Sequence, residues 1–346
     1  MKVLFATHEG VPLYKGGPYV KIQRLKEHLE RLGVQVQLFD LWKAAEQFDW
    51  CDFVHLYGAN FSVYNLARNL RYQNVPFVVN PIFYTRRSAR VVRIMNKVDR
   101  TTRGRIPGLW WEWGFTRDIC NWAKAVYPNT QAEQDIIQQG MNIPAEKFTV
   151  LHNGVSGEFL NADPKLFENE YELKDFVLCV GHIGPERKNM LNTVKAMAEL
   201  DESCVIIARL FDTGERDAVL DQIEKSPNIT LIPGLENTSP LLASAYAACK
   251  TFVLASQFET PGRAALEASL AGANIVITPH GGTKDYFADM AIYADPYSIT
   301  SIVSSIKQSL QNAKSDALKQ HIAAKFTWEV IAQKTLQAYK KVLAQL

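Results

Sequence analysis

Short apolar runs alternate with helix-period stretches along the whole chain. Lys2–Thr7 reads as a strand and is followed by a loop holding Gly16-Gly17, with Pro18 near a helix start. Ile22, Leu25, Leu29 and Leu32 then fall on one helical face, and Gly33 suits the left-handed position that ends a helix. Val34–Phe39, Phe53–Tyr57 and Val75–Val79 read as further strands, with a helix around Ser62–Arg71 between the last two. Ala125–Tyr127 and Phe148–Leu151 are expected to be the last strands of this half. Strands alternating with helices imply a parallel sheet wrapped by helices on both faces.

The pattern breaks near Asn153–Asp163, passes through a polar stretch over Asn161–Asp175, and then restarts. Phe176–Val180, Val205–Ala208, Ile229–Ile232, Phe252–Ala255 and Ile275–Thr278 are strand candidates with helices between them. A chain of 346 residues with 47% hydrophobic content can bury two cores of ordinary size. The sequence therefore predicts two α/β domains with a hinge near the break. Open sheets of this kind bind ligands outside the carboxyl ends of their strands.

The segment Ser256–Phe287 carries the densest chemistry. Glu259 and Glu267 flank a Thr-Pro-Gly turn, after one apolar strand and at the start of a small-residue helix. A second apolar strand then runs into His280-Gly281-Gly282. A strand that turns into a helix aims backbone N–H groups and the positive helix end at one spot, which suits a phosphate or diphosphate. Carboxylates beside it can accept hydrogen bonds from the hydroxyls of a ribose or hexose. Phosphate plus polyol points to a nucleotide sugar.

Two glutamates with seven residues between them, and Gly262 in the turn, resemble the donor-site signature of retaining glycosyltransferases of the family 4 type (glycosyl transferases group 1). The resemblance covers nearly the whole chain and implies the GT-B fold: α/β, with two Rossmann-like domains whose parallel sheets face across a cleft. It sets residues 1–158 as the acceptor domain and 159–325 as the nucleotide-sugar donor domain. Residues 326–346, opening on Phe326-Thr327-Trp328-Glu329, resemble the closing helix that packs back on the first domain.

The same resemblance assigns roles residue by residue. Glu267 would hold the donor ribose, and Glu259 would contact the donor sugar or stabilise its developing charge. Gly262 would let the backbone approach the ligand. Arg263 stands where an apolar residue is commoner and receives no role. Gly181-His182-Ile183-Gly184-Pro185-Glu186-Arg187-Lys188-Asn189 resembles the family's basic motif, with Lys188 as the residue that clamps the diphosphate. His182 stands where the family has Arg, so either His182 donates a single hydrogen bond or Arg187 compensates. Gly16 and Gly17 match a first-domain glycine loop against the diphosphate. Gly281 and Gly282, with Asp285 where Glu is common, resemble the loop whose amides meet the donor sugar. Asn153-Gly154 matches a turn at the interdomain crossing. After Val79 the family presents a His, whereas this chain reads Asn80-Pro81-Ile82-Phe83-Tyr84. Asn80, Tyr84 and Tyr57 are therefore the candidate acceptor or sugar contacts.

Net charge is +2, so the chain as a whole carries no nucleic-acid footprint. The charge is uneven: Arg86, Arg87, Arg90, Arg93, Lys97, Arg100, Arg103 and Arg105 stand against Asp99 alone, with Leu109, Trp110, Trp111 and Trp113 just beyond. This stretch suits an anionic membrane interface or a phosphate-bearing acceptor, or else it is a solvated helix over core tryptophans. The five cysteines are scattered and odd in number, as expected of reduced thiols. The first residues read as a strand rather than a signal peptide, and no apolar run reaches the ~20 residues a spanning helix needs. There is no Asp-x-Asp, no metal-spaced cluster, no Gly-x-Gly-x-x-Gly after the first strand and no Gly-x-Ser-x-Gly.

The expected activity is sugar transfer from a nucleotide-sugar donor to a hydroxyl of a glycan or lipid-linked acceptor, with retention, in polysaccharide or glycoconjugate assembly. No metal and no other cofactor is expected. A cytoplasmic location is expected, including the membrane's cytoplasmic face. The alternative is a nucleotide-sugar-binding protein of the same fold with weak or no turnover.

Overall fold

The computed structural model describes residues 1–14, 16–103, 105–106 and 110–346, apart from the side chain of Tyr14. Leu109 of the aromatic stretch lies outside the described residues. The chain divides into two compact units, one of Met1–Gly154 with Trp328–Leu346 and one of Val155–Thr327.

The first unit holds five strands: β1 (Lys2–Ala6), β2 (Gln35–Leu38), β3 (Phe53–Tyr57), β4 (Phe77–Asn80) and β5 (Ala125–Val126). They form a sheet in the order β2-β1-β3-β4-β5, with every pair parallel. Alternation along each strand feeds two cores. Val3, Phe5, Phe53, Tyr57 and Val78 pack on one face, with Leu4, Ala6, Val54, Leu56 and Val79 on the other. The final helix, Trp328–Leu343, closes the first of these cores with Ile331, Ala332 and Tyr339. Phe148–Leu151 does not form the expected strand. Thr149 and Leu151 donate to the carbonyls of Val126 and Pro128, leaving one isolated bridge between Val126 and Phe148. The partner strand is only two residues long, and Pro128 has no N–H to return a bond.

The second unit holds β6 (Val177–Ile183), β7 (Cys204–Leu210), β8 (Ile229–Pro233), β9 (Thr251–Leu254), β10 (Asn274–Ile277) and β11 (Ile292–Tyr293). Their order is β11-β10-β9-β6-β7-β8, again all parallel. The two-residue strand β11 has no signal in the sequence, being too short for a period. Leu178, Val205, Phe252 and Ile275 face one core, and Val177, Cys204, Val253 and Val276 face the other.

Strand order reverses at β6/β9 here and at β1/β3 in the first unit. At such a point the connections leave to opposite sides, opening a crevice at the strands' carboxyl ends. The cysteines are free, four of them buried. Among the described residues no helix is long and apolar enough to cross a membrane.

Candidate active site

The reversal in the second unit gathers most of the candidate residues. The chain leaves β6 through Gly184, whose φ of 124° and close approach to the Phe211 carbonyl exclude a side chain. A short turn, Glu186–Lys188, follows. Asn189 adopts the left-handed conformation and opens the helix Met190–Ala198. Its side-chain amide donates to the carbonyls of Ala255 and Pro296 at 2.8 and 2.7 Å, tying this helix start to the end of β9. The sequence reading gave Asn189 no separate role, yet it sets where Lys188 stands.

Glu259 follows β9 and is buried. Lys188 Nζ donates to its Oε1 at 2.7 Å, and Arg187 lies 3.5 Å from the same oxygen. Arg187 also donates to the Phe258 carbonyl at 3.1 Å and sits over the Phe258 ring. Burial pushes the Glu259 carboxyl up, but the two cations beside it prevail and hold it below its usual range. Glu259 is thus a fixed anion at neutral pH. His182, on β6, faces Lys188, Arg209 and Arg187. Burial first and then these cations lower its pKa, so its imidazole is neutral at pH 7. Its ring lies against Phe211.

Backbone bonds couple Glu259 to the glycine loop after β10. Its N–H donates to the His280 carbonyl, and its carbonyl accepts from the Gly282 N–H at 2.9 Å. Gly281 has φ 95°, and a Cβ there would lie 2.1 Å from the Glu259 carbonyl oxygen. Gly262, φ 85°, precedes the helix Arg263–Leu270 and fits against Leu254 and Ile277. Glycine is needed at both positions for backbone geometry and for space.

Glu267 lies on that helix, buried, with three partners. Asn237 donates to Oε1 at 3.0 Å, Tyr246 OH donates to Oε2 at 3.0 Å, and Arg263 pairs with Oε1 at 3.2 Å. Arg263, given no role from sequence, is an i,i+4 partner that holds this carboxylate. Asn237 and Tyr246 were also missed, because nothing in their local pattern marks them.

In the first unit, Gly16 and Gly17 lie exposed at the start of the helix Gly17–Arg31. Neither has a positive φ, and a Cβ on Gly17 would meet nothing within 4 Å. Their value lies in open space before a helix N-terminus rather than in a strained turn. The candidates Asn80 and Tyr57 both lie in the interior of the first unit. Tyr57 is fully buried, with its ring against Phe5 and His55. Asn80 is buried too and donates to the Tyr127 carbonyl and to Asn129. Asn80 belongs to a polar cluster unseen in the sequence. Lys21 donates to Asn129 Oδ1 at 2.5 Å, and Glu133 accepts from the Phe83 and Asn129 amides, each at 2.7 Å. Burial lowers Lys21 to about 7 and raises Glu133 to about 7, each opposed in part by the other. Tyr84 stays half-buried at the surface. It follows Ile82, a β-branched residue held at φ 53°, where strain is stored.

The basic stretch divides. Asp99 is buried and binds Arg103 and Arg117, and Asp118 binds the same two arginines. Arg103 also lies over the Trp110 ring, which stacks on Phe115, and Trp113 packs on the core. Arg103 and Trp113 therefore leave the exposed patch. Among the described residues, no three His, Cys, Asp or Glu side chains converge as metal ligands would.

Comparison with known proteins agrees with this architecture. Residues 3–159 match Glycosyltransferase Family 4, and residues 165–325 match Glycosyl transferases group 1. The chain is 26% identical over 237 residues to the O-antigen chain mannosyltransferase B of Escherichia coli, a match spanning 63% of this chain and 61% of that protein. Among solved structures, sucrose-phosphate synthase from Thermosynechococcus elongatus superposes with a TM-score of 0.75 at 15% identity, covering 100% of both chains. Anabaena HepE in complex with UDP and glucose superposes with a TM-score of 0.70 at 16% identity, covering 99% of this chain and 100% of that one. With two parallel-sheet units and family matches running almost end to end, the chain belongs to the GT-B glycosyltransferases, a Family 4 domain followed by a group 1 domain.

Proposed function

We propose that the protein transfers a sugar from a nucleotide-sugar donor to a hydroxyl acceptor, with retention and without a metal. The observation that carries this reading is the Lys188–Glu259–Arg187 cluster at the β6/β9 reversal, with the buried carboxylate of Glu267 on the helix that follows. Glu267, fixed by Tyr246, Asn237 and Arg263, accepts hydrogen bonds from the donor ribose. Lys188, Arg187 and the neutral His182 receive the diphosphate. As the glycosidic bond breaks, charge grows on the leaving diphosphate, and preorganised cations stabilise that charge more than the ground state. Glu259, kept ionised by the same cations, stabilises the positive charge developing on the sugar. It is unsuited to be an acid, because its proton is already lost at neutral pH. The amides of Gly281 and Gly282 meet the sugar, and Gly262 admits it closely. The acceptor belongs to the first unit, with Tyr84 its candidate contact.

The relatives' names direct the donor screen. One is a mannosyltransferase, and one was solved with UDP and glucose. A thermal-shift and turnover screen across UDP- and GDP-linked hexoses should single out one donor, since a ligand that binds only the folded state raises apparent stability. Turnover should survive chelator. Activity lost to chelator and restored by magnesium or manganese would overturn the leaving-group chemistry. The O-antigen mannosyltransferase's name supports a role in assembling a surface polysaccharide or other glycoconjugate, and the acceptor that supports turnover tests it. The second reading, donor binding with little turnover, is favoured by Asn80, which stands where the family has a histidine and donates inward to the Tyr127 carbonyl and Asn129. Donor hydrolysis without acceptor distinguishes the two, being absent in a pure binder.

A further inference from the structure

The helix Ala89–Thr102 turns Val92, Asn96 and Asp99 inward. Its outward side is split lengthwise. At 3.6 residues per turn, Val91, Ile94 and Val98 fall within an arc of about 60°, and Arg90, Arg93, Lys97 and Arg100 fall within an adjoining arc of about 80°. The apolar half is uncovered: Ile94 is 55% exposed, and Val91 and Val98 are each 40% exposed. Arg90, Lys97 and Arg100 are exposed and form no ion pair among the described residues, while Arg93 reaches the Gln139 carbonyl. The one acid of the stretch, Asp99, is fully buried and bound to Arg103 and Arg117, so it neutralises none of this face. Exposed Ile106, Trp110 and Trp111 follow in sequence.

A phosphate-binding surface needs the basic half alone. Three branched apolar side chains left in water beside it cost free energy, which a partner with both an anionic and a hydrocarbon layer would recover. We propose that this face docks on an anionic lipid bilayer, with Val91, Ile94 and Val98 entering the acyl boundary and Arg90, Lys97 and Arg100 meeting headgroup phosphates. The helix lies in the membrane plane and does not span it. None of these residues is assigned to the donor, so the surface stands or falls separately from the proposed transfer.

The test is sedimentation of the full chain with vesicles of phosphatidylcholine, with and without phosphatidylglycerol, at low and molar salt. The wild type should sediment with the anionic vesicles only. Arg90→Ser/Lys97→Ser/Arg100→Ser should weaken binding by roughly 100-fold, since each basic residue near such a surface contributes about 1 kcal/mol, and the loss should vanish in molar salt. Ile94→Ser/Val98→Ser should weaken it by roughly 10-fold at low salt. All five positions are exposed, so circular dichroism and donor binding should stay as in the wild type. A wild type that ignores anionic vesicles overturns the proposal. So does an apolar variant that binds like wild type while the basic one fails, or tighter binding to a DNA oligonucleotide than to vesicles, because the face would then read only charge.

Discussion

Lys188→Ala tests whether the Lys188–Glu259 pair sets the charge of the site. Removing one partner of a buried ion pair costs 3–5 kcal/mol, because the other charge stays buried. Two features reduce this. Arg187 remains 3.5 Å from the same carboxylate oxygen, although its side chain is 42% exposed, and Lys188 itself is 18% exposed. About 2 kcal/mol is expected at neutral pH, which for a unit of about 170 residues lowers Tm by roughly 4–8 °C. The pH dependence carries the diagnosis. In the wild type Glu259 has a lowered pKa, so its contribution to stability is present above the unfolded carboxylate value and is lost as pH falls through the lower folded value. In the variant burial is less opposed, the carboxyl rises, and the destabilisation should be large at pH 8 and small near pH 4. All seven tryptophans lie in the first unit, so tryptophan fluorescence would miss the transition of the second. Calorimetry from pH 4 to pH 8 resolves it. A loss equal at both ends of that range, or no loss, would refute the argument that the pair holds Glu259 ionised.

Gly281→Ala puts a methyl group 2.1 Å from the Glu259 carbonyl and forces an L residue to φ 95°, so the bridge between these loops should open, with loss of turnover and about 3 kcal/mol of stability seen by calorimetry. Tyr246→Phe removes one hydrogen bond from Glu267 while keeping the ring, and should weaken donor binding about 5-fold in titration calorimetry. Gly154→Ala would set its Cβ 2.4 Å from the buried Trp328 ring and should destabilise the first unit by about 1–3 kcal/mol, visible as exposure of tryptophan at lower denaturant.

Much of this was legible because it lies in local order. Apolar runs such as Phe53–Tyr57 and Phe252–Ala255 mark the central strands of both sheets. The restart after Asn161 marks a second unit. Glu259 and Lys188 are 71 residues apart, yet each directly follows one of the two strands that flank a reversal, and topology alone brings them together. What was hidden depends on packing. Asn80 and Tyr57 sit at strand ends, where ligands are often bound, but their side chains point into a polar cluster and an aromatic core. Arg103 looked like part of a basic surface until Asp99 and Asp118 turned it inward. Arg263 departed from the family pattern and for that reason seemed idle, although its partner stands one helical turn away. No periodicity reports which pairs of distant polar side chains meet.

The central claim is that the second unit holds a nucleotide sugar through Glu267. Titration calorimetry of the donor singled out by the thermal-shift screen, into wild type and into Glu267→Ala, tests it most directly. A buried carboxylate accepting ribose hydroxyls contributes about 1.5–3 kcal/mol, so the variant should bind roughly 10- to 150-fold more weakly while keeping its folded signature. An unchanged affinity in a folded Glu267→Ala protein, or no binding of any nucleotide sugar by the wild type, would contradict the account.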